Sequence, residues 1–154
     1  MKSLVFPGQG SQYVGMGKDL FDSFPDIKVT FEEVNDALDQ NLSRLMFDGP
    51  DDELILTENA QPAIMTVGIA TIEILNSRGF SVNKISNISA GHSLGEYTSL
   101  TALNSLSLTD TAKLLRLRGK AMQNSFPSGE GAMAAIIGLD INAVKETINS
   151  SEIK

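Results

Sequence analysis

The chain has 154 residues, no cysteine, one histidine and a formal net charge of −7. Its length fits one domain able to bury a core, and 42% hydrophobic with 20% charged residues marks a globular rather than a disordered chain. The composition excludes a disulfide framework, a thiolate metal site and a cysteine nucleophile, and it argues against zinc and against nonspecific nucleic-acid binding.

The chain opens on a predicted strand, Lys2 to Phe6. Its apolar part is too short for a secretory leader, and no apolar run reaches the length of a membrane span. The lack of cysteine suits the cytoplasm. Pro7-Gly8-Gln9-Gly10-Ser11-Gln12 reads as a loop, because glycine and proline break regular structure. A helix is predicted from Tyr13 or Gly15 to about Phe24, and a second over Val29 to Leu38, where the apolar residues recur at helical spacing. Asp48 to Asp52 reads as a turn. Pro62 to Arg78 is a helix in which Pro62 takes the first position and Gly79 supplies the stop. It is apolar on most faces, which predicts a buried, central helix. Ile85 to Ala90 is a short buried strand, followed by a helix from Glu96 to Ala102. A further helix runs from Leu108 to Asn124, with Ser107 or Thr109 as its N-cap. Phe126 to Gly131 is a linker, Ala132 to Ile137 a strand, and Ile141 to Asn149 a short helix. Strands alternating with helices predict an α/β fold with a parallel sheet, and ligands in such sheets sit beyond the carboxyl ends of the strands.

Gly91-His92-Ser93-Leu94-Gly95 lies between a predicted strand and a predicted helix. It matches a nucleophile elbow, in which a serine occupies a strained turn and flanking glycines let strand and helix approach closely. The alternative is a glycine-rich turn whose serine caps the next helix. As a nucleophile, Ser93 needs a base, and its tetrahedral intermediate needs two donors for the oxyanion. The backbone amide of Leu94 is one candidate, and the Gly8-Gln9-Gly10 loop can supply the second. His92 is the only histidine, but adjacent side chains on an elbow diverge, so it is read as a packing or ligand-edge residue rather than a base.

Leu114, Leu115, Arg118, Ala121 and Met122 share one helical face, on which Arg118 interrupts an apolar stripe. A buried guanidinium requires an anionic partner. That partner could be a structural Asp or Glu or a substrate carboxylate, or the side chain could snorkel outward. Lys113, Arg116 and Lys120 fall on another face, read as solvated. Two phosphate-loop readings fail. Gly8-Gln9-Gly10 has Tyr13 where a third glycine would stand, and Gly15-Met16-Gly17-Lys18 is followed by Asp19 rather than Ser or Thr.

Phe6-Pro7-Gly8-Gln9-Gly10-Ser11-Gln12, Gln61-Pro62-Ala63, Gly91 to Tyr97, Arg118-Gly119-Lys120-Ala121-Met122-Gln123 and Gly131 to Leu139 together resemble the malonyl-CoA:acyl carrier protein transacylases. The resemblance runs in order along nearly the whole chain. It implies transfer of malonyl from coenzyme A to acyl carrier protein through a malonyl ester on Ser93, in fatty acid biosynthesis. It further implies that Arg118 holds the malonyl carboxylate and that the Gln9 and Leu94 amides form the oxyanion hole. Coenzyme A enters as part of the substrate, with no cofactor or metal. The fold implied is a serine-hydrolase-like parallel-sheet core over residues 1–126, with residues 127–154 opening an inserted ferredoxin-like subdomain. The family's histidine base lies further downstream, so the chain is expected to be an N-terminal half whose activity needs a complementary C-terminal half. A noncatalytic remnant is the alternative, and a generic serine esterase a third reading, against which Arg118 argues.

Overall fold

The computed structural model of the chain describes residues 2–125 and 136–151. In order it contains β1 (Ser3–Phe6), α1 (Lys18–Ser23), a 3-10 turn (Pro25–Ile27), α2 (Lys28–Leu38), α3 (Leu42–Asp48), α4 (Asp51–Leu54), α5 (Thr57–Ser77), α6 (Val82–Ile85), β2 (Ile88–Gly91), α7 (Leu94–Ala102), α8 (Leu108–Gln123) and α9 (Ile141–Ser150). The strands form a parallel pair in which Ser3 lies opposite Ile88 and Phe6 opposite Gly91. Parallel neighbours cannot be joined by a hairpin, and the helices from α1 to α6 make the crossover. The fold is α/β, as the alternation of elements predicts.

Helix α5 is central, and its residues from Asn59 to Thr66 are all buried. It packs against α8, α7, α2 and α3. Phe31, Leu42, Met46, Leu54, Met65, Leu94 and Leu115 form the fully buried heart of the core. Each contributes about 1.5–3 kcal/mol by leaving water. Phe21 meets Phe31 edge-on at 5.3 Å between ring centroids, a favoured aromatic geometry. The sheet is packed on one face only. Leu4 and Phe6 sit against Ile72, Leu75 and Ala102, while Val5 and Ile88 are 73% and 45% exposed on the other. Among the described residues no helix is long and apolar enough to cross a membrane.

Several boundaries differ from the sequence reading. The first helix begins at Lys18 rather than at Tyr13 or Gly15, because Gly15 and Gly17 take left-handed conformations that break helical geometry. Asp51 and Asp52 open a helical turn instead of a plain turn. Helix α5 starts at Thr57, so Pro62 lies inside it rather than at its first position. Pro62 lacks an amide for the Glu58 carbonyl, a loss confined to the helix's second turn. Close packing against α8 holds that region, since a Cβ on Gly119 would stand 2.4 Å from the Glu58 Cα. The stop at Gly79 is as read: the Phe80 amide bonds the Leu75 carbonyl and the Gly79 amide bonds that of Asn76, a Schellman pair. The second strand is Ile88–Gly91, and Ile85 instead closes the turn of α6. Of the predicted strand 132–137, Ile136 and Ile137 lie outside any strand. Residues 132–135, like the predicted linker and the 126/127 boundary, lie outside the described residues.

Candidate active site

Two loops leave the carboxyl ends of the paired strands side by side. The ladder extends one bond past β2, where the His92 amide donates to the Phe6 carbonyl at 3.1 Å. Ser93 follows at φ 54°, ψ −111°, a conformation costly for a residue with a side chain. Helix α7 starts at the next residue. The flanking glycines are required by space. A Cβ on Gly91 would lie 1.9 Å from the Gly95 carbonyl carbon, and one on Gly95 would lie 2.4 Å from the Phe6 carbonyl oxygen. Strand, helix and the loop after β1 therefore meet at backbone contact distance, and Ser93 is left exposed at the turn.

The loop after β1 is tied internally. Ser11 Oγ donates to the Gly8 carbonyl at 3.0 Å, and the Gly10 amide donates to Gln12 Oε1 at 2.8 Å. The Gln9 side chain reaches Thr57 Oγ1, at the start of α5, at 3.3 Å. Leu94 is the first residue of α7, where helix amides have no intrahelical acceptor. Among the described residues neither the Gln9 nor the Leu94 amide donates to a backbone acceptor. The N-terminus of α7 adds a positive helix-dipole end beside Ser93.

Arg118 comes to this turn from α8. Its Nη2 donates to Ser93 Oγ at 2.9 Å, and its Nη1 donates to Gln61 Oε1 at 2.7 Å. The guanidinium also lies 5.9 Å from the centre of the Tyr97 ring, within cation–π range. Among the described residues the one ion pair is Lys18–Asp48, so Arg118 meets an amide and a hydroxyl rather than a structural carboxylate. The turn thus brings together Ser93, Leu94 and Arg118, with Gln9 in the adjoining loop.

Among the described residues the side-chain hydrogen bond on Ser93 Oγ comes from Arg118 and not from His92. The His92 Nδ1 lies 2.4 Å from where a Cβ on Gly8 would be, so the ring packs on the loop after β1. Arg116 departs from the solvated face assigned to it. It is half-buried, donates to Asn59 Oδ1 at 2.6 Å and to Gln40 Oε1, and leaves its Nε buried without a partner. Burial lowers its pKa from the usual arginine value, and the charge of Glu58 opposes that. Gln61 had no individual role in the sequence reading. An amide inside the apolar run Ala60 to Met65 is the signal that could have singled it out.

Residues 3–151 match the family model described as the acyl transferase domain. The chain is 46% identical over 144 residues to the malonyl CoA-acyl carrier protein transacylase of Bacillus subtilis, covering 94% of this chain and 44% of that protein. It is 44% identical over 138 residues to that of Escherichia coli K12, covering 90% and 44%. Among solved structures, the acyl-carrier-protein-S-malonyltransferase of Bartonella henselae superimposes with a TM-score of 0.89 at 53% identity, covering 95% of this chain and 47% of that one. A malonyl-transacylase solved in complex with its type II PKS acyl-carrier protein superimposes at 0.87 with 39% identity, covering 96% and 47%. The chain spans about half the length of the curated relatives it matches. With the α/β fold and the family match running along nearly all of its length, the chain belongs to the acyl transferase domain family.

Proposed function

We propose that this chain carries the acyl-accepting serine of a transferase that moves malonyl from coenzyme A to acyl carrier protein, in fatty acid biosynthesis. The observation that carries the reading is the 2.9 Å contact between Arg118 Nη2 and Ser93 Oγ. It holds a fixed positive charge within a few ångströms of the atom that would be acylated. An ester hydrolase acting on uncharged acyl groups has no use for that charge. A dicarboxylic acyl group does, because guanidinium binds carboxylate through paired hydrogen bonds. The names of the relatives point the same way.

In this reading the turn at Ser93 is a nucleophile elbow. Ser93 Oγ bonds to the thioester carbonyl carbon while its proton passes to a base. The oxyanion accepts hydrogen bonds from the Gln9 and Leu94 amides. Collapse breaks the carbon–sulfur bond, and the coenzyme A thiolate leaves and takes up the proton. The carrier protein's thiol then attacks the ester, forming a new thioester and returning the proton to Ser93. Arg118 holds the free carboxylate throughout. Coenzyme A serves as part of the substrate, with no separate cofactor. His92 faces Gly8, so the base is assigned to a complementary C-terminal segment. Residues 1–126 constitute the acyltransferase core, residues 127–154 open a ferredoxin-like subdomain, and the compartment is the cytoplasm.

Intact-mass measurement after incubation with malonyl-CoA, beside Ser93→Ala, tests this. With the complementary segment supplied, a malonyl adduct on the parent chain and none on the variant is the expected result. An adduct that persists in the variant overturns the reading. So does the lack of any adduct when the complementary segment is also supplied.

A further inference from the structure

Gln61 is fully buried, and both ends of its amide are occupied. Its Oε1 accepts from Arg118 Nη1 at 2.7 Å, and its Nε2 faces the Met122 sulfur at 3.4 Å. Guanidinium has only donors, so Arg118 fixes which end of the amide it meets. The partner left for the nitrogen is a thioether, a weak acceptor. The pairing across α5 and α8 therefore favours the arginine, and an unpaired buried carbonyl would be costly.

A carboxylate in the same place would orient Arg118 as well, but it would also cancel its charge. An incoming acyl carboxylate would then meet a nearly neutral pair, with far less attraction at short range. We propose that Gln61 is a positioning residue that sets acyl specificity. Its neutral carbonyl aims Arg118 at the Ser93 turn and leaves the whole guanidinium charge for a substrate carboxylate. This rests on the carboxylate-binding reading of Arg118 given above. Tyr97, 5.9 Å from the guanidinium, restrains a second side of the group without neutralising it.

The test is the ratio of malonyl-CoA to acetyl-CoA affinity, measured by calorimetry in a Ser93→Ala background where no acyl transfer occurs. Gln61→Glu, Gln61→Met and Arg118→Ala are compared with that parent, and thermal melts establish that each is folded. The parent is expected to prefer malonyl-CoA by roughly tenfold or more, the scale of one charge-assisted hydrogen bond. Arg118→Ala and Gln61→Glu should both bring the ratio close to one, and Gln61→Met should lower it part of the way. If the parent shows no preference, the carboxylate reading of Arg118 fails and this assignment with it. If Arg118→Ala abolishes the preference while both Gln61 variants retain it, the assignment alone fails. A merely structural role for Gln61 would weaken both ligands together and leave the ratio unchanged, which also overturns the assignment. Should Gln61→Glu not fold, Gln61→Met decides: a lowered ratio supports the assignment and an unchanged one overturns it.

Discussion

Arg116 and Arg118 lie two residues apart on α8 and serve opposite ends. Both are half-buried, and both are held by neutral side-chain carbonyls rather than carboxylates. Arg116 turns toward the corner between α2 and α5, where Asn59 and Gln40 close around it and its Nε is sealed in without a partner. Arg118 turns the other way, along the start of α5, and keeps one terminal nitrogen on the exposed Ser93. A guanidinium whose donors are spent on side chains of neighbouring elements ties those elements together. One enclosed on a single side and aimed at an exposed hydroxyl can bind a ligand. The type of residue does not separate the two roles; the direction of its open side does.

The comparison can be broken or sharpened by substitution. The largest effect is expected from Gly119→Ala, at the residue that follows Arg118 on α8. Its added Cβ would meet the Glu58 Cα at 2.4 Å and push α8 off α5, disturbing both groups. Overpacking of this kind should cost about 3 kcal/mol or more, read by urea unfolding, and malonyl adduct formation should fall with it. Arg118→Ala separates the pair. It should lower the rate of malonyl adduct formation by roughly tenfold or more, as expected for loss of one charge-assisted contact, and leaving the buried Gln61 carbonyl unpaired should also cost about 1–2 kcal/mol. Arg116→Met should act on stability alone, with malonyl adduct formation unchanged. Leaving the Gln40 carbonyl unpaired, and the Asn59 carbonyl with only the Gln40 Nε2 contact at 3.4 Å, should cost about 1–2 kcal/mol, with the malonyl-to-acetyl preference retained. The smallest effect is expected from Ser107→Ala. Its hydroxyl accepts from the Asp110 amide at 3.0 Å, and loss of such a cap should cost about 1 kcal/mol while leaving both arginines in place. A preference change in that variant would mean that the start of α8 controls the site from a distance.

Much of the site was legible in the chain. The glycine spacing around Ser93 is a local requirement, and the contact distances at Gly91 and Gly95 supply its reason. Arg118 stood out because a charge interrupts an apolar stripe. Arg116 was misread as solvated because helical periodicity sorts residues into faces without saying which faces a neighbour covers. The start of α5 was misread for a related cause. A proline usually marks a first turn, but here the close approach of Gly119 extends the packed helix back to Thr57. Gln61, named only within the motif Gln61-Pro62-Ala63, carried no role of its own because its partner lies on another helix.

The sequence alone determined what depends on a few neighbouring residues: an apolar central helix, its Gly79 stop, a capped start of the last long helix at Ser107 or Thr109, and a serine between two glycines. Backbone sterics and amphipathic spacing act over one or two turns, so they can be read from a short window. The tertiary structure alone decided which charges are enclosed and which are aimed. Those partners come from residues 57 and 76 positions apart in the chain. Only the packing of α8 on α5 and against the end of α2 brings a donor within hydrogen-bond distance of its acceptor, and that packing sets which way each arginine is turned.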